Sequence, residues 1–206
     1  MKVKIVTFFI VIFCLNSVLF LSVSADEEQQ VTRIELANYA METYEYVTQE
    51  FIFPIAEREK FTDVEQSKSP LPYQHRVLQV YLNGFMYGTD DDKFSPDEFV
   101  SKAQVATVLY RVVRRLNQRY DISLEAKDIT VSDLELSPEW SREAICYMVS
   151  VDLMTSNLNG TFCPNDTMTH DELDRIVEKI RSIYVSPDDT TERIDIDTYL
   201  RRWQQN

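Results

Sequence analysis

Three consecutive aspartates, Asp90 to Asp92, are the residues most suited to chemistry in the segment GFMYGTDDDKFSPDEFVSKAQV (84–105). Carboxylates at this density could form a calcium loop or an acid–base site. Counted from Asp90, however, position 5 is Phe94 and position 12 is Ser101, where an EF-hand needs an oxygen ligand and a glutamate. The run is therefore predicted to be a solvated turn, and neither a metal nor a cofactor is predicted.

Histidine and cysteine are too sparse for the other common chemistries. His75 and His170 are far apart, and Cys14 lies in an N-terminal apolar run, so the closely spaced ligand pairs of a zinc site are missing. The sequence also contains no Gly-x-Ser-x-Gly, phosphate-binding or His-Glu-x-x-His motif, and the prediction is that it is not an enzyme. Cys146 and Cys163 leave two alternatives open, a disulfide in an exported chain or two free thiols.

The elements that position these residues repeat along the chain. Residues 84–106 align without a gap on residues 152–174, with Phe94-Ser95-Pro96 opposite Phe162-Cys163-Pro164. Upstream of each copy, Phe61–Val64 matches Val131–Leu134. The back half occurs a third time, because residues 31–37 match residues 100–106. Self-similarity of this kind predicts one supersecondary unit used several times.

Each copy of the back half begins with the signature of a helix N-terminus. Ser or Thr is followed three positions later by Glu or Gln, at Thr32 and Glu35, Ser101 and Gln104, and Thr169 and Glu172. This spacing is that of a capping box. Apolar residues then recur at helical spacing, as from Val105 to Val112. The sequence therefore predicts three equivalent helices, the first of which lacks the preceding half of its unit.

The N-terminus predicts export. Lys2 and Lys4 precede an apolar stretch, and Val23-Ser24-Ala25 supplies small residues before an acidic run. This is the pattern of a secretory signal peptide over residues 1–25, with an uncleaved membrane anchor as the alternative. No later stretch is apolar and long enough to span a bilayer. The net charge of −13 and the lack of any basic run argue against binding to nucleic acid.

Taken together, these motifs resemble the S-layer homology family. The resemblance rests on VTRIELANYA (31–40), FTDV (61–64), GFMYGTDDDKFSPDEFVSKAQVATVLYR (84–111) and SDLELSPEWSREAICYMVSVDLMTSNLNGTFCPNDTMTHDEL (132–173). It implies an all-α, pseudo-threefold arrangement of helix-loop-helix units. The units are a partial one over residues 26–60, a second over 61–127 and a third over 128–184, followed by a tail over 185–206.

The resemblance also implies a function and a set of ligand-binding residues. Domains of this family attach exported proteins non-covalently to secondary polysaccharides of the bacterial cell wall, often pyruvylated, which lie in grooves between units. The cation of the family's helix-start motif falls at Arg33, Lys102 and His170, and a histidine is charged only below its pKa. The remaining motif positions are Thr32, Glu35, Ser101, Thr169, the helix aromatic Trp140, and the turn glycines Gly84 and Gly88.

The resulting prediction is a secreted, non-catalytic module at the bacterial cell surface that binds cell-wall polysaccharide. The alternative is a protein-interaction or assembly module of the cell envelope that has lost its glycan grooves. A short periodic stretch in the tail, residues 196–203, is the segment through which a protein partner could bind. Its other interpretation is a helix that docks where the first unit lacks its front half.

Overall fold

A computed structural model of the chain describes residues 29–50, 60–68 and 71–186. These residues form five α-helices and one short 3-10 helix, joined by loops that meet in isolated β-bridges without building a strand. The elements are α1 (Arg33–Thr48), α2 (Leu71–Leu82), α3 (Lys102–Tyr120), the 3-10 helix (Leu134–Leu136), α4 (Glu139–Ser150) and α5 (His170–Tyr184). The all-α prediction is confirmed. The predicted signal peptide and the stretch 196–203 lie outside the described residues.

The predicted helix starts are confirmed at α1, α3 and α5. In each, the cap hydroxyl accepts from the backbone N–H three residues on, and the side chain at that third position accepts from the N–H of the cap residue. The helices then bury their apolar faces, and Val105, Leu109 and Val112 are fully buried on α3. Within the described ranges, no helix combines the length and apolarity needed to cross a membrane.

The three helix starts meet in a closed ring of backbone hydrogen bonds. The N–H of Val31 donates to the carbonyl of Met168 over 3.0 Å, Met168 donates to Val100 over 2.9 Å, and Val100 donates to Val31 over 2.9 Å. Each of these residues immediately precedes a cap residue, and each is at most 1 % exposed. The ring therefore gives the starts of α1, α3 and α5 an approximately threefold arrangement.

A backbone carbonyl from another segment also accepts a hydrogen bond from the first N–H of each of these helices. Arg33 donates its backbone N–H to Glu98 over 2.8 Å and Lys102 donates to Asp166 over 2.9 Å. His170 makes the same contact to Gln29 over 3.0 Å. The first N–H groups of a helix have no partner within it. Here a carbonyl from another segment supplies that partner, which ties the three helix starts to one another.

The Phe-x-Pro loop before α3 is held by a carboxylate from upstream. Asp63 accepts from the backbone N–H of Phe94 over 3.0 Å and of Ser95 over 2.8 Å. Ser95 has a φ of 55°, a conformation that needs such support in a residue other than glycine. Burial alone would raise the pKa of Asp63, but the two backbone N–H groups and the charge of Lys93 lower it overall.

The matching loop before α5 is held in the same way, and it contains Cys163. Asp133 accepts from the N–H groups of Phe162 and Cys163, each over 2.7 Å, and Cys163 has a φ of 58°. The Cys163 sulfur lies 3.4 Å from the amide nitrogen of Asn157 within the same turn, while Cys146 lies on α4. Both cysteines are free thiols, so the alternative of a disulfide is wrong for this structure.

Candidate functional site

A groove of about 500 Å³ runs between α1 and α5, and we call it the α1–α5 groove. Its volume falls within the range of ligand sites. It lies beside the starts of both helices, at a junction between two copies of the repeat. Its lining residues are Glu35, Asn38, Tyr39 and Glu42 from α1, and His170, Asp174, Val177, Glu178 and Arg181 from α5.

Helical periodicity explains why these residues share the groove. On α1 the lining positions follow Glu35 by three, four and seven residues, and on α5 they follow His170 by four, seven, eight and eleven residues. Such spacings place side chains along one face of a helix. Glu35 and His170 are the only lining residues among the predicted ligand set. The other lining residues could have been predicted by counting along the same helix face from Glu35 and from His170.

Side chains from both walls contact one another across the groove. The Tyr39 hydroxyl donates to Asp174 Oδ1 over 2.8 Å and lies 3.4 Å from His170 Nδ1. His170 Nε2 lies 3.6 Å from Glu35 Oε2. Along α1, the amide nitrogen of Asn38 donates to Glu42 Oε1 over 2.8 Å. These contacts fix the orientation of several polar groups before any ligand arrives.

The groove carries a negative charge. Four of its lining residues are carboxylates, namely Glu35, Glu42, Asp174 and Glu178. The guanidinium of Arg181 lies 3.4 Å from Glu178 and 4.8 Å from the ring of Tyr46. A groove rich in hydrogen-bond acceptors can bind hydroxyl or amino groups, whereas an acidic ligand would be repelled.

Arg33, the first predicted ligand cation, lies in the interior and outside this groove. It is 6 % exposed, and its guanidinium donates to the carbonyls of Phe94 over 2.7 Å and Tyr87 over 3.0 Å. It also lies 5.0 Å from the centre of the Phe94 ring. Burial lowers the pKa of Arg33, although the charges of Glu98 and Asp63 oppose that effect. The side chain fastens the loop before α3 to the start of α1.

Lys102, the second predicted cation, lies where the starts of α3 and α5 meet. Its Nζ atom is 2.8 Å from Glu172 Oε1, and the two side chains are 22 % and 32 % exposed. Burial would raise the pKa of Glu172, but the hydrogen bond and charge of Lys102, together with contacts to Thr169, lower it overall. His170 and Glu35 form the equivalent pair where the starts of α5 and α1 meet.

Three further predicted ligand residues lie away from the groove, two of them in turns and one in a helix. Gly84 ends α2 with a φ of 71°, and Asp152 takes the matching position after α4 with a φ of 66°. A Cβ atom on Gly88 would lie 2.4 Å from the carbonyl oxygen of Lys93, so this turn requires glycine. Trp140 is 58 % exposed in the first turn of α4.

The cap residues have local partners as well. The hydroxyls of Thr32, Ser101 and Thr169 are engaged in the capping boxes. Asp90 to Asp92 are exposed, as predicted for a solvated turn. Across residues 29–50, 60–68 and 71–186, no group of three or more His, Cys, Asp or Glu side chains is arranged to hold a metal ion.

The fold and groove define a small all-α domain built from repeated helix starts around a pseudo-threefold ring. The S-layer homology domain model matches residues 60–106, so this part of the chain is similar to that family. An endoglucanase from Bacillus sp. (strain KSM-635) is 27 % identical over 115 residues, which is 55 % of this chain. The alignment covers 11 % of the endoglucanase. An S-layer homology domain indicates a module associated with the cell surface.

Proposed function

We propose that this chain is an exported, non-catalytic attachment module that binds a secondary polysaccharide of the bacterial cell wall in the α1–α5 groove. The observation that carries the proposal is the position of the groove. It lies where two motif-bearing helix starts meet, and it contains the motif residues Glu35 and His170. In the family that the chain resembles, the polymer lies in grooves between units, and the position of the α1–α5 groove between two copies of the repeat supports the proposal.

The lining suits an extended, hydroxyl-rich ligand. Along α5 it runs from His170 to Arg181, about 16 Å at 1.5 Å per residue. Asn38, Tyr39 and the carboxylates offer both donors and acceptors, which sugar hydroxyls can use in either sense. Their hydrogen bonds to one another reduce the entropy that would be lost in ordering them on binding.

The second candidate function is a protein-interaction module of the cell envelope. Arg33 and Lys102, the two permanent cations of the predicted ligand set, have intramolecular partners. The acidic lining of the α1–α5 groove would suit a basic segment of a partner protein as well as a glycan. This observation favours a module that has kept the fold and exchanged its ligand.

Co-sedimentation with purified cell-wall sacculi tests the first proposal against the second. Native sacculi are compared with sacculi stripped of secondary polymer. Asp174→Trp places a large side chain in the groove, while Asp171→Trp makes the same charge change on α5 outside the lining. We expect the wild type and Asp171→Trp to bind native sacculi only, and Asp174→Trp to lose binding. Equal binding to both preparations, or to neither, would reject the glycan function.

A further inference from the structure

We propose that the C-terminal segment of this chain, residues 187–206, docks in the α1–α5 groove and must leave it before another ligand can enter. This inference goes beyond the proposed function, because it concerns what covers the groove in the free protein. It follows from a comparison of the three junctions between repeat copies, from the reach of the segment, and from its charge and apolar spacing.

A turn of the chain fills the junction between α1 and α3. This turn follows α2, and its residue Phe85 is 1 % exposed, with its ring centre 5.5 Å from that of Tyr44 on α1. From the other side, Arg111 on α3 donates to the carbonyl of Phe85 over 3.0 Å and lies 5.0 Å from the ring of Tyr87. A turn from the front half of a repeat unit therefore lies between the two helices.

The junction between α3 and α5 is built in the same way. Here α4 packs on α3, and the turn after α4 contains Leu153, which aligns with Phe85 and is 2 % exposed. Lys179 on α5 donates to the carbonyl of Asp152 in that turn over 3.2 Å. Lys179 and Arg111 each stand ten residues after the cap of their helix. At both junctions, a cation at this position therefore binds a carbonyl of the inserted turn.

The α1–α5 groove is the third junction, and its equivalent position carries the opposite charge. Glu42 stands ten residues after the cap residue Thr32, where α3 and α5 have their cations. Among the residues that the structure describes, the groove is lined by α1 and α5, with no turn of the chain between them. Because the first repeat copy lacks its front half, another segment is needed to fill this space. Such a segment should bring its own cation to Glu42.

The C-terminal segment is tethered close enough to reach the groove. Ser186, the last described residue before it, lies five residues beyond Arg181 at one end of the groove, or about 8 Å at the rise of a helix. Residues 187–195 span up to about 30 Å when extended, which exceeds the length of about 16 Å that the lining covers along α5. The stretch 196–203 can therefore turn back and lie along the groove.

The composition of this stretch suits the groove. Arg201 and Arg202 supply cations for Glu42 and its neighbouring carboxylates, whereas the other two junctions draw their cations from the helices. The apolar positions that would take the place of the buried turn residues are Ile196, Tyr199, Leu200 and Trp203. Charge, apolar spacing and tether length therefore favour this segment as the occupant.

Fluorescence of Trp203 tests the docking in the full chain without any ligand. The chain has two tryptophans, so Trp140→Phe leaves Trp203 as the single reporter. In this background, Glu42→Arg introduces the residue that α3 carries at the equivalent position, which should repel the arginines of the segment. Asp91→Arg makes the same charge reversal in an exposed loop and serves as the matched control.

We expect Trp203 to show blue-shifted emission and weak quenching by acrylamide in the background protein and in Asp91→Arg. Glu42→Arg should lose both properties, because the segment is released into solvent. Three results would each overturn the inference: an exposed Trp203 in the background protein, burial that Glu42→Arg leaves unchanged, or release by both charge reversals.

A charge exchange separates release of the segment from a folding defect. Arg201→Glu with Arg202→Glu should also expose Trp203, and the addition of Glu42→Arg should return part of its protection. Without any return of protection, an ionic contact between the segment and Glu42 would be rejected.

Binding to native sacculi relates the docking to the proposed function. The variant Arg201→Glu with Arg202→Glu keeps the groove intact and frees it, so it should bind native sacculi more tightly than the wild type does. Equal binding would overturn the inference and leave the proposed function standing. Absence of binding by every protein would reject the proposed function, while the fluorescence would still decide whether the segment docks.

Discussion

The Nζ atom of Lys102 lies 2.8 Å from Glu172 Oε1, so a cation at the start of α3 is held by the capping-box acid of α5. Because both side chains are partly exposed, we expect the pair to contribute less than about 1 kcal/mol to the free energy of unfolding. A double-mutant cycle with Lys102→Met and Glu172→Gln in urea measures this coupling. The coupling should fall further in 1 M salt, and a value that salt does not change would contradict an electrostatic origin.

The ion pair between Glu45 on α1 and Arg76 on α2 should contribute far more. Its N–O distance is 2.8 Å, and the side chains are 2 % and 3 % exposed. Removal of one partner leaves a buried charge, so Arg76→Met should destabilise the chain by about 3–5 kcal/mol. Urea unfolding measures this loss. The double variant Glu45→Leu with Arg76→Met should recover most of it, and a double variant as unstable as Arg76→Met would show that packing sets the cost.

Asp63 should make stability depend on pH. Its pKa is lowered in the folded chain because Phe94 and Ser95 donate to it and Lys93 lies nearby, despite the opposing effect of burial. A lowered pKa gives stability that is present above the unfolded value, about 3.9, and is lost as pH falls through the folded value. Asp63→Ala should therefore cost about 1–3 kcal/mol at pH 7, with two amides left unsatisfied.

Urea unfolding at a series of pH values tests this expectation. The difference between the wild type and Asp63→Ala should shrink below pH 4, whereas Asp91→Asn in the exposed loop should follow the wild type throughout. A difference that stays constant down to pH 2 would show that the carboxylate charge does not hold the loop.

The hydrogen-bond ring should be among the last parts of the fold to open. The amides of Val31, Val100 and Met168 donate within it, and their side chains are buried. Local opening at one residue breaks the hydrogen bond that its amide donates and the one that its carbonyl accepts, so all three amides should exchange with solvent at a rate close to that of global unfolding. Native-state hydrogen exchange by NMR measures these rates. Much faster exchange at one of the three would show that the ring is not a cooperative unit.

Local patterns were sufficient to predict much of this fold. The capping boxes and apolar periods of α1, α3 and α5 were correct because those signals are encoded within a few residues. The equivalence of Val31, Val100 and Met168 also followed from the aligned copies. The hydrogen-bond ring that joins these residues could not be predicted, because its bonds connect segments far apart in the chain.

The tertiary contacts of the predicted site residues could not be derived from the sequence as the helix starts could. The family motif predicted Arg33 and Lys102 as ligand-binding cations. The contacts of their side chains, however, are made with residues distant in the sequence. Arg33 reaches loop carbonyls, while Lys102 meets an acid on another helix. The groove residues Tyr39, Glu42 and Asp174 had no motif to identify them. Their shared surface exists only because the ring sets α1 beside α5.

An NMR titration of the isotopically labelled chain with solubilised secondary cell-wall polysaccharide tests the central claim most directly. If the polymer binds in the α1–α5 groove, amide shifts should concentrate at Asn38, Tyr39, Glu42 and Asp174. The Asp174→Trp variant should show none of these changes at the same polymer concentration. Shifts centred on Trp140 or Lys102, with the groove residues unmoved, would contradict the claim.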